Sequence, residues 1–329
     1  MSKLYKYGIL LLVVALILPW AVSCKKTEEQ PQTVYYTVSF DSNGGSPVEN
    51  MRVEANGHAV APPDPTRENY IFNGWTYGNE TWIFDWNVVK GDMTLKASWK
   101  SADTIFRYEP LGDDEHARVT GVYDLYPTLH FPTTINGFVV SSIGEGAFSM
   151  LSSEDVERII LPETITTVED GAFEGCSGIE FQVEGVLSHV GEAAFSECDG
   201  LRAVALGEGM DRIAVSAFAK SGLSRILIPN GVQVIEENAF DGCASLKTIV
   251  LPESLLDSEI AVEDSAFREC EALLTVFFYG DAEKHDALKD KITTGNSCLK
   301  SATFCYYAEV KPTGTGNYWY MHNGEPRVW

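Results

Sequence analysis

The side chains of this chain with the richest chemistry are its seven cysteines and six histidines, and their spacing decides what chemistry is open to them. Cys176, Cys198, Cys243 and Cys270 each follow a phenylalanine by three residues, and Ser221 fills the same slot after Phe218. In an oxidising compartment such thiols first suggest disulfides. Equivalent positions in successive repeats more often stack as small buried hydrophobes, and a serine in the series fits packing better than pairing. Cys298 and Cys305 stand outside the series, and spacing leaves open whether they bridge. His58, His116, His130, His189, His285 and His322 form no H-E-x-x-H motif, no metal-ligand pair and no pair with a nucleophile. His189 is expected on a surface or in a loop. Carboxylates abound, but a glycosidase needs two of them across a cleft. The expectation is a non-enzyme with no cofactor and no metal.

Cys24 is the cysteine whose context names a reaction. Lys3 and Lys6, the apolar run from Gly8 to Trp20 and the small residues of Ala21-Val22-Ser23 read as a secretory signal over residues 1–23. The run is shorter than the roughly 20 residues of a membrane span. A cysteine directly after it resembles the bacterial lipobox, which implies cleavage before Cys24 and a diacylglyceryl group on its sulfur. Acyl chains would then be the only membrane contact, since each buried methylene contributes about 0.8 kcal/mol. Residues 24–34 make a polar tether, and the Lys25-Lys26 and Glu28-Glu29 pairs resemble surface-export signals of some outer-membrane lipoproteins. These resemblances imply an extracytoplasmic protein, anchored to the outer membrane and displayed on the cell surface. Losing residues 1–23 removes Lys3 and Lys6 and no acid, which takes the formal net charge from −23 to −25. A body this acidic repels phosphate backbones, so nucleic acid is not an expected partner.

The elements that position these residues follow from a repeat. Ala-Phe pairs end at Phe148, Phe173, Phe195, Phe218, Phe240 and Phe267, with a period of about 24 residues. A unit so short cannot bury its own apolar face, so neighbours must stack into a solenoid. The pattern is A-F-x-x-C-x-x-L-x-x-I-x-L-P-x-x-V-x-x-I, best seen in Ala239-Phe240, Cys243, Leu246, Ile249 and Leu251-Pro252. Apolar residues every two or three positions suit short strands, and the proline ends each one. The pattern resembles the BspA-like, or Treponema pallidum type, leucine-rich repeat. That resemblance implies a solenoid over residues 101–305 with an N-terminal capping half-repeat at about 117–144, and an aromatic tail or cap at 306–329. The repeat after Phe173 is short and lacks the Leu-Pro pair, and Asp281 to Lys291 reads as a polar helical interruption.

Residues 35–100 carry a different text. Tyr36-Thr37-Val38-Ser39-Phe40 alternates as a strand does, and Asn43-Gly44 predicts a type I′ hairpin turn after it. Val38, Phe40, Asn43, Gly44 and Gly45, then Pro62, Pro65, Arg67, Tyr70, Phe72, Gly74 and Trp75, then Asp92, Thr94, Leu95, Ala97 and Trp99 resemble the Listeria-Bacteroides repeat of surface proteins. The resemblance implies a small β-grasp-like spacer or interaction module. Asp41-Ser42-Asn43-Gly44 is no EF-hand loop, because Arg52 stands where a bidentate glutamate is needed. Trp75, Trp82, Trp86 and Trp99 could offer sugars a platform, but a domain this small needs them for its core. The chain as a whole is read as mainly β.

Within Leu-x-x-Ile-x-Leu the named residues face inward and the x residues face the open side of the sheet. Two columns of x residues could receive a partner. Ile160, Ala205, Leu227, Val250 and Phe277 would form an apolar strip. Arg158, Arg202, Arg225 and Lys247 would form a basic row suited to an anionic partner. The leading expectation is a surface lipoprotein that binds a protein, from host matrix or another bacterium, through this face. The alternatives are a glycan-binding accessory lipoprotein that uses Tyr306, Tyr307, Tyr318, Trp319 and Tyr320, and a structural spacer without a ligand.

Overall fold

The computed structural model describes residues 33–313 and 316–329. The signal segment, Cys24 and most of the tether lie outside the described residues. The small domain is a five-stranded mixed sheet. Its central strands, Tyr35–Asp41 and Met93–Ser101, run parallel, flanked by Met51–Glu54 on one side and by Tyr70–Tyr77 and Glu80–Thr81 on the other. That central parallel pair is what a β-grasp-like sheet requires, while residues 55–69, which cross between the flanking strands, carry no helix. Alternation puts Val38 and Phe40 into a core completed by Trp75, Trp82, Val89 and Leu95. Trp99 packs against this core, edge-on to Phe72. Trp86 is 79% exposed, so one tryptophan expected in the core is outside it.

Asn43 and Gly44 do take positive φ, at 49° and 90°, and Gly45 N–H donates to Ser42 O at 3.0 Å. The turn does not close a two-residue hairpin, however, because antiparallel pairing resumes only at Met51, opposite Val38. Its geometry serves the core instead. Asn43 donates to Ala97 O at 3.1 Å, and a Cβ on Gly45 would lie 2.5 Å from the Trp99 ring. Tight Asn-Gly hairpins form instead at Asn136-Gly137, where Ile135 stands opposite Phe138, and at Asn323-Gly324, where His322 stands opposite Glu325.

From Phe106 onward the chain winds into coils with two strand positions each. One series of parallel strands carries the Leu-x-x-Ile-x-Leu segments. The other runs from His116–Val122 through Phe138–Ile143 and Thr167–Val168 to His189–Val190 and continues in short pairs. His189 is thus a strand residue with an exposed side chain. The core between them is a column of phenylalanines. Rings from Phe148 to Phe267 stack at centroid distances of 5.6, 5.5, 5.9, 5.5 and 5.2 Å. Phe131 and Phe106 turn edge-on or tilt at its N-terminal end and close it.

The Ala-Phe turn explains itself at the backbone. Each Phe N–H from Phe148 to Phe240 donates to the carbonyl of the alanine one coil on, at 2.8 to 3.0 Å. All five of these alanines, Ala172, Ala194, Ala217, Ala239 and Ala266, are wholly buried. The cysteines are held in the same lattice. Cys176, Cys198, Cys243 and Cys270 each place Sγ 3.0 to 3.1 Å from the Phe carbonyl of the preceding coil. They are therefore buried thiol donors as well as small hydrophobes. Cys298 and Cys305 are both free thiols.

The column ends without a seventh ring. Phe267 N–H donates to Asn296 Oδ1 at 2.9 Å, so a side-chain amide takes the place of the next alanine carbonyl. Asn296 is 1% exposed, and its Nδ2 donates to Glu263 O at 2.8 Å. The polar interruption is helical as expected, at Ala282–Lys289, with Asp281 capping Lys284 N–H at 2.9 Å. The small domain meets this array directly: Ile71 joins its core, and Ala102 N–H donates to Asn69 O at 2.9 Å.

Candidate binding face of the repeat array

The open face is built by strands whose alternate residues are core. Ile159, Leu161, Ile249, Leu251, Val276 and Phe278 are wholly buried, which turns the residues between them outward. Leu227, Val250, Phe277 and Cys305 stand in register on four neighbouring strands. Ile160 stands between His130 and Gln182, and Ala205 beside Val186, in separate sheets. The five expected residues are therefore not one exposed strip. Leu227 is 38% exposed and Ala205 is exposed, Ile160 is half-buried, and Val250 and Phe277 are buried.

The cover over Val250 and Phe277 is the C-terminal hairpin, Tyr318–His322 with Glu325–Val328. Trp319 is its plug. The indole is wholly buried, 5.3 Å from Phe277, 4.9 Å from Tyr279 and 5.2 Å from Tyr307 by ring centroids, and its Nε1 donates to Phe278 O at 3.0 Å. This removes Trp319 from any sugar platform, while Tyr307 stays exposed. Tyr306 bonds to the buried His285 and Tyr320 stacks on Trp329 at 4.1 Å, so the tail aromatics mostly pack on the protein itself.

Beyond the hairpin tip the face opens into a groove of about 490 Å³ with a floor of Val183, Ala203, Ala205 and Leu227. It lies where the face sheet is interrupted. Glu180–Val183 belongs to a three-stranded sheet, Ala205–Leu206 pairs only with Val186–Leu187, and Arg225–Leu227 begins a separate six-stranded sheet. In the coil after Phe173, short and without its Leu-Pro pair, the face strand Glu180–Val183 meets the next coil through a single Phe181–Leu201 bridge. An irregular repeat thus leaves apolar side chains uncovered between two regular stretches.

A family model for the BspA-type leucine-rich-repeat region matches six copies over residues 129–247 and 212–306, together more than half of the chain. The chain belongs to the BspA-type leucine-rich-repeat family. The model of the Listeria-Bacteroides repeat domain matches residues 36–98. Among curated relatives, a putative Gly-rich membrane protein of Evansella cellulosilytica is 43% identical over 68 residues, which is 20% of this chain and 8% of that one. A putative membrane protein of the same organism is 34% identical over 91 residues, 27% of this chain and 14% of the relative. Among solved structures, a leucine-rich-repeat protein from Bacteroides ovatus is 28% identical, covering 53% of this chain and 45% of its own, with a TM-score of 0.44. The T. pallidum leucine-rich-repeat protein is 22% identical over 58% of this chain and 96% of its own, with a TM-score of 0.46.

Within the BspA-type array the basic residues do not form a row. Arg158 and Arg225 begin their strands, but Thr248 is the residue in register with Arg225, which leaves Lys247 one position ahead of its strand. Arg202 lies outside any strand. Arg158 is held by Glu180 through Nε and Nη2 at 2.9 and 2.7 Å, and Arg225 is paired with Glu325. Two of the four charges are thus neutralised on the molecule. Burial pushes the Cys243 thiol up to about 11 and the Cys270 thiol higher, which keeps these two protonated as donors. Among the described residues no three His, Cys, Asp or Glu side chains gather as metal ligands would.

The sequence reading missed Val183 and Ala203 in the groove and Met321 and Glu325 in the hairpin, and it gave Trp319 a different role. One signal was available: Asn323-Gly324 between Tyr318-Trp319-Tyr320 and Arg327-Val328 is a hairpin signature.

Proposed function

We propose that this chain is an extracytoplasmic lipoprotein that binds a protein partner through the open face of its repeats, with adhesion to host matrix or to another cell as its role. The observation that carries the proposal is the uncovered apolar groove at the break in the face sheet, beside Ala205 and Leu227. An apolar patch kept open on a rigid solenoid, where the same residues two coils further on are buried, is what a docking surface requires. Ile160, Arg202 and Lys247 would border the contact. The signal segment, the lipidated Cys24 and the polar tether would display the array, with the small domain as a spacer. Names such as putative membrane protein among the relatives support an envelope location.

Binding of the mature chain to immobilised extracellular-matrix proteins and to polysaccharides, measured side by side, tests the proposal. The expected result is protein binding that Leu227→Glu lowers at least tenfold, with a Cys24→Ser variant released from the membrane fraction. Binding to polysaccharides alone would overturn the protein-partner reading, and a Cys24→Ser variant that stays in membranes would overturn the lipid anchor.

A further inference from the structure

Glu325 and Arg225 form an ion pair although 100 residues separate them in the chain. In the order of the sheet, the strand of Glu325 is also five places from the strand of Arg225. Neighbouring strands lie about 4.8 Å apart, so a hairpin continuing the sheet sideways would put the two roughly 24 Å from each other. The contact therefore requires the hairpin to fold back across the open face. Its underside agrees: Trp319 lies with Val250, Phe277 and Cys305 in one buried cluster, and Met321, two residues on, packs against the same cluster. Gly324, Glu325 and Pro326 at the tip form one wall of the groove.

The base of the fold-back is held by Trp319, whose wholly buried indole donates to Phe278 O at 3.0 Å, and its tip is lightly held. The hairpin pairs with the last repeat strand at only two positions, Tyr306 with Tyr318 and Tyr307 with Trp319. The tip is fixed by the Arg225–Glu325 pair, whose side chains are 59% and 37% exposed. An exposed pair of this kind is weakened by salt. What lies beneath is the continuation of the groove floor, because Val250 and Phe277 are in register with Leu227.

We propose that the C-terminal hairpin is a reversible cover on the binding face, an internal occupant that holds half of the apolar strip closed and is latched by Arg225 and Glu325. This rests on the protein-binding reading of the same face. A partner takes the groove first, where Val250 already lines one edge, and gains Phe277 and the rest of Val250 when the tip lifts; a carboxylate on the partner can then replace Glu325 on Arg225.

Cys305 reports the opening without any partner. It is 4% exposed beneath the cover, whereas Cys176, Cys198, Cys243 and Cys270 are wholly buried inside the solenoid. The full chain is treated with iodoacetamide under native conditions, and each cysteine is followed separately by mass spectrometry. Cys305 should react well ahead of the four repeat thiols. Glu325→Gln should raise its rate roughly two- to fivefold, the range open to an exposed ion pair, and leave the four unchanged. Added salt should speed Cys305 in the native chain and not in the variant. The cover is disproved if Cys305 reacts no faster than the repeat thiols, or if Glu325→Gln and salt leave its rate unchanged. Opening observed in a chain that binds no protein would instead refute the binding reading and leave the cover standing.

Discussion

Each coil has two sides, and they are regular to different degrees. On the turn side the Ala-Phe lattice runs unbroken from Phe148 to Phe267, with stacked rings, backbone bonds from Phe to Ala and thiols on Phe carbonyls. On the open side the same coils supply strands that fall into three separate sheets, with a groove at one break and a hairpin folded over Val250 and Phe277. Packing density accounts for the contrast. A column of rings spaced 5.2 to 5.9 Å apart admits no change of residue without a cavity or a clash. An outward residue meets water, or a partner, and is free to differ from coil to coil. The turn side thus holds the fold, and the open side is where one BspA-type chain can differ from another.

The sharpest way to break this comparison is to remove one side chain from each side. Phe218→Ala takes a wholly buried ring out of the column between Phe195 and Phe240. It should cost about 3–5 kcal/mol, the usual loss for a buried phenylalanine. Leu227→Ala, on the open side and 38% exposed, should cost less than about 1 kcal/mol. Urea unfolding of the two variants provides the measurement. Equal losses would mean that the open side is as much a part of the fold as the turn side.

A smaller effect should appear where the turn lattice stops. Asn296 satisfies Phe267 N–H and is itself bonded to Glu263 O. Asn296→Leu leaves that buried amide without an acceptor, at a cost of about 1–3 kcal/mol. Hydrogen exchange should accelerate at Phe267 and not at Phe195, in mid-lattice. Uniform acceleration would show that the lattice has no separate end.

This residue also marks the limit of what the sequence reveals. The ring and thiol columns are legible because burial forces the same residue types to recur, and the period alone identifies them. The landmark residues of the small domain occur once and are legible through their resemblance to the Listeria-Bacteroides repeat, and three of them, Asn43, Gly45 and Trp99, lock one corner of its core. Asn296, Trp319 and Glu325 occur once. Their roles depend on what the chain has placed across from them, a Phe amide with no further coil to meet, an apolar column and an arginine 100 residues away. Periodicity carries no information about such encounters, and it misplaced Val250 and Phe277 because it cannot show what folds over them.

The smallest effect tests whether strain, too, is confined to the turn side. Every Ala-Phe pair is bracketed by two residues of positive φ, one just before the alanine and one two after the phenylalanine. They include Ala193 at 52°, Glu197 at 60°, Ser216 at 54°, Lys220 at 55° and Glu269 at 56°. A residue with a Cβ gives up roughly 1–2 kcal/mol in that conformation, while glycine lowers stability by about 0.4–1 kcal/mol through the freedom it adds to the unfolded chain. The first effect exceeds the second, so Glu269→Gly should stabilise the fold by about 0.5 kcal/mol. Thr275→Gly, in a face strand where no such strain exists to relieve, should destabilise it by about 1 kcal/mol. Opposite signs in paired denaturation curves would show that the turn lattice is strong enough to hold its residues in a conformation they would not choose. A loss in both would mean that these side chains return in contacts what their backbone angles cost.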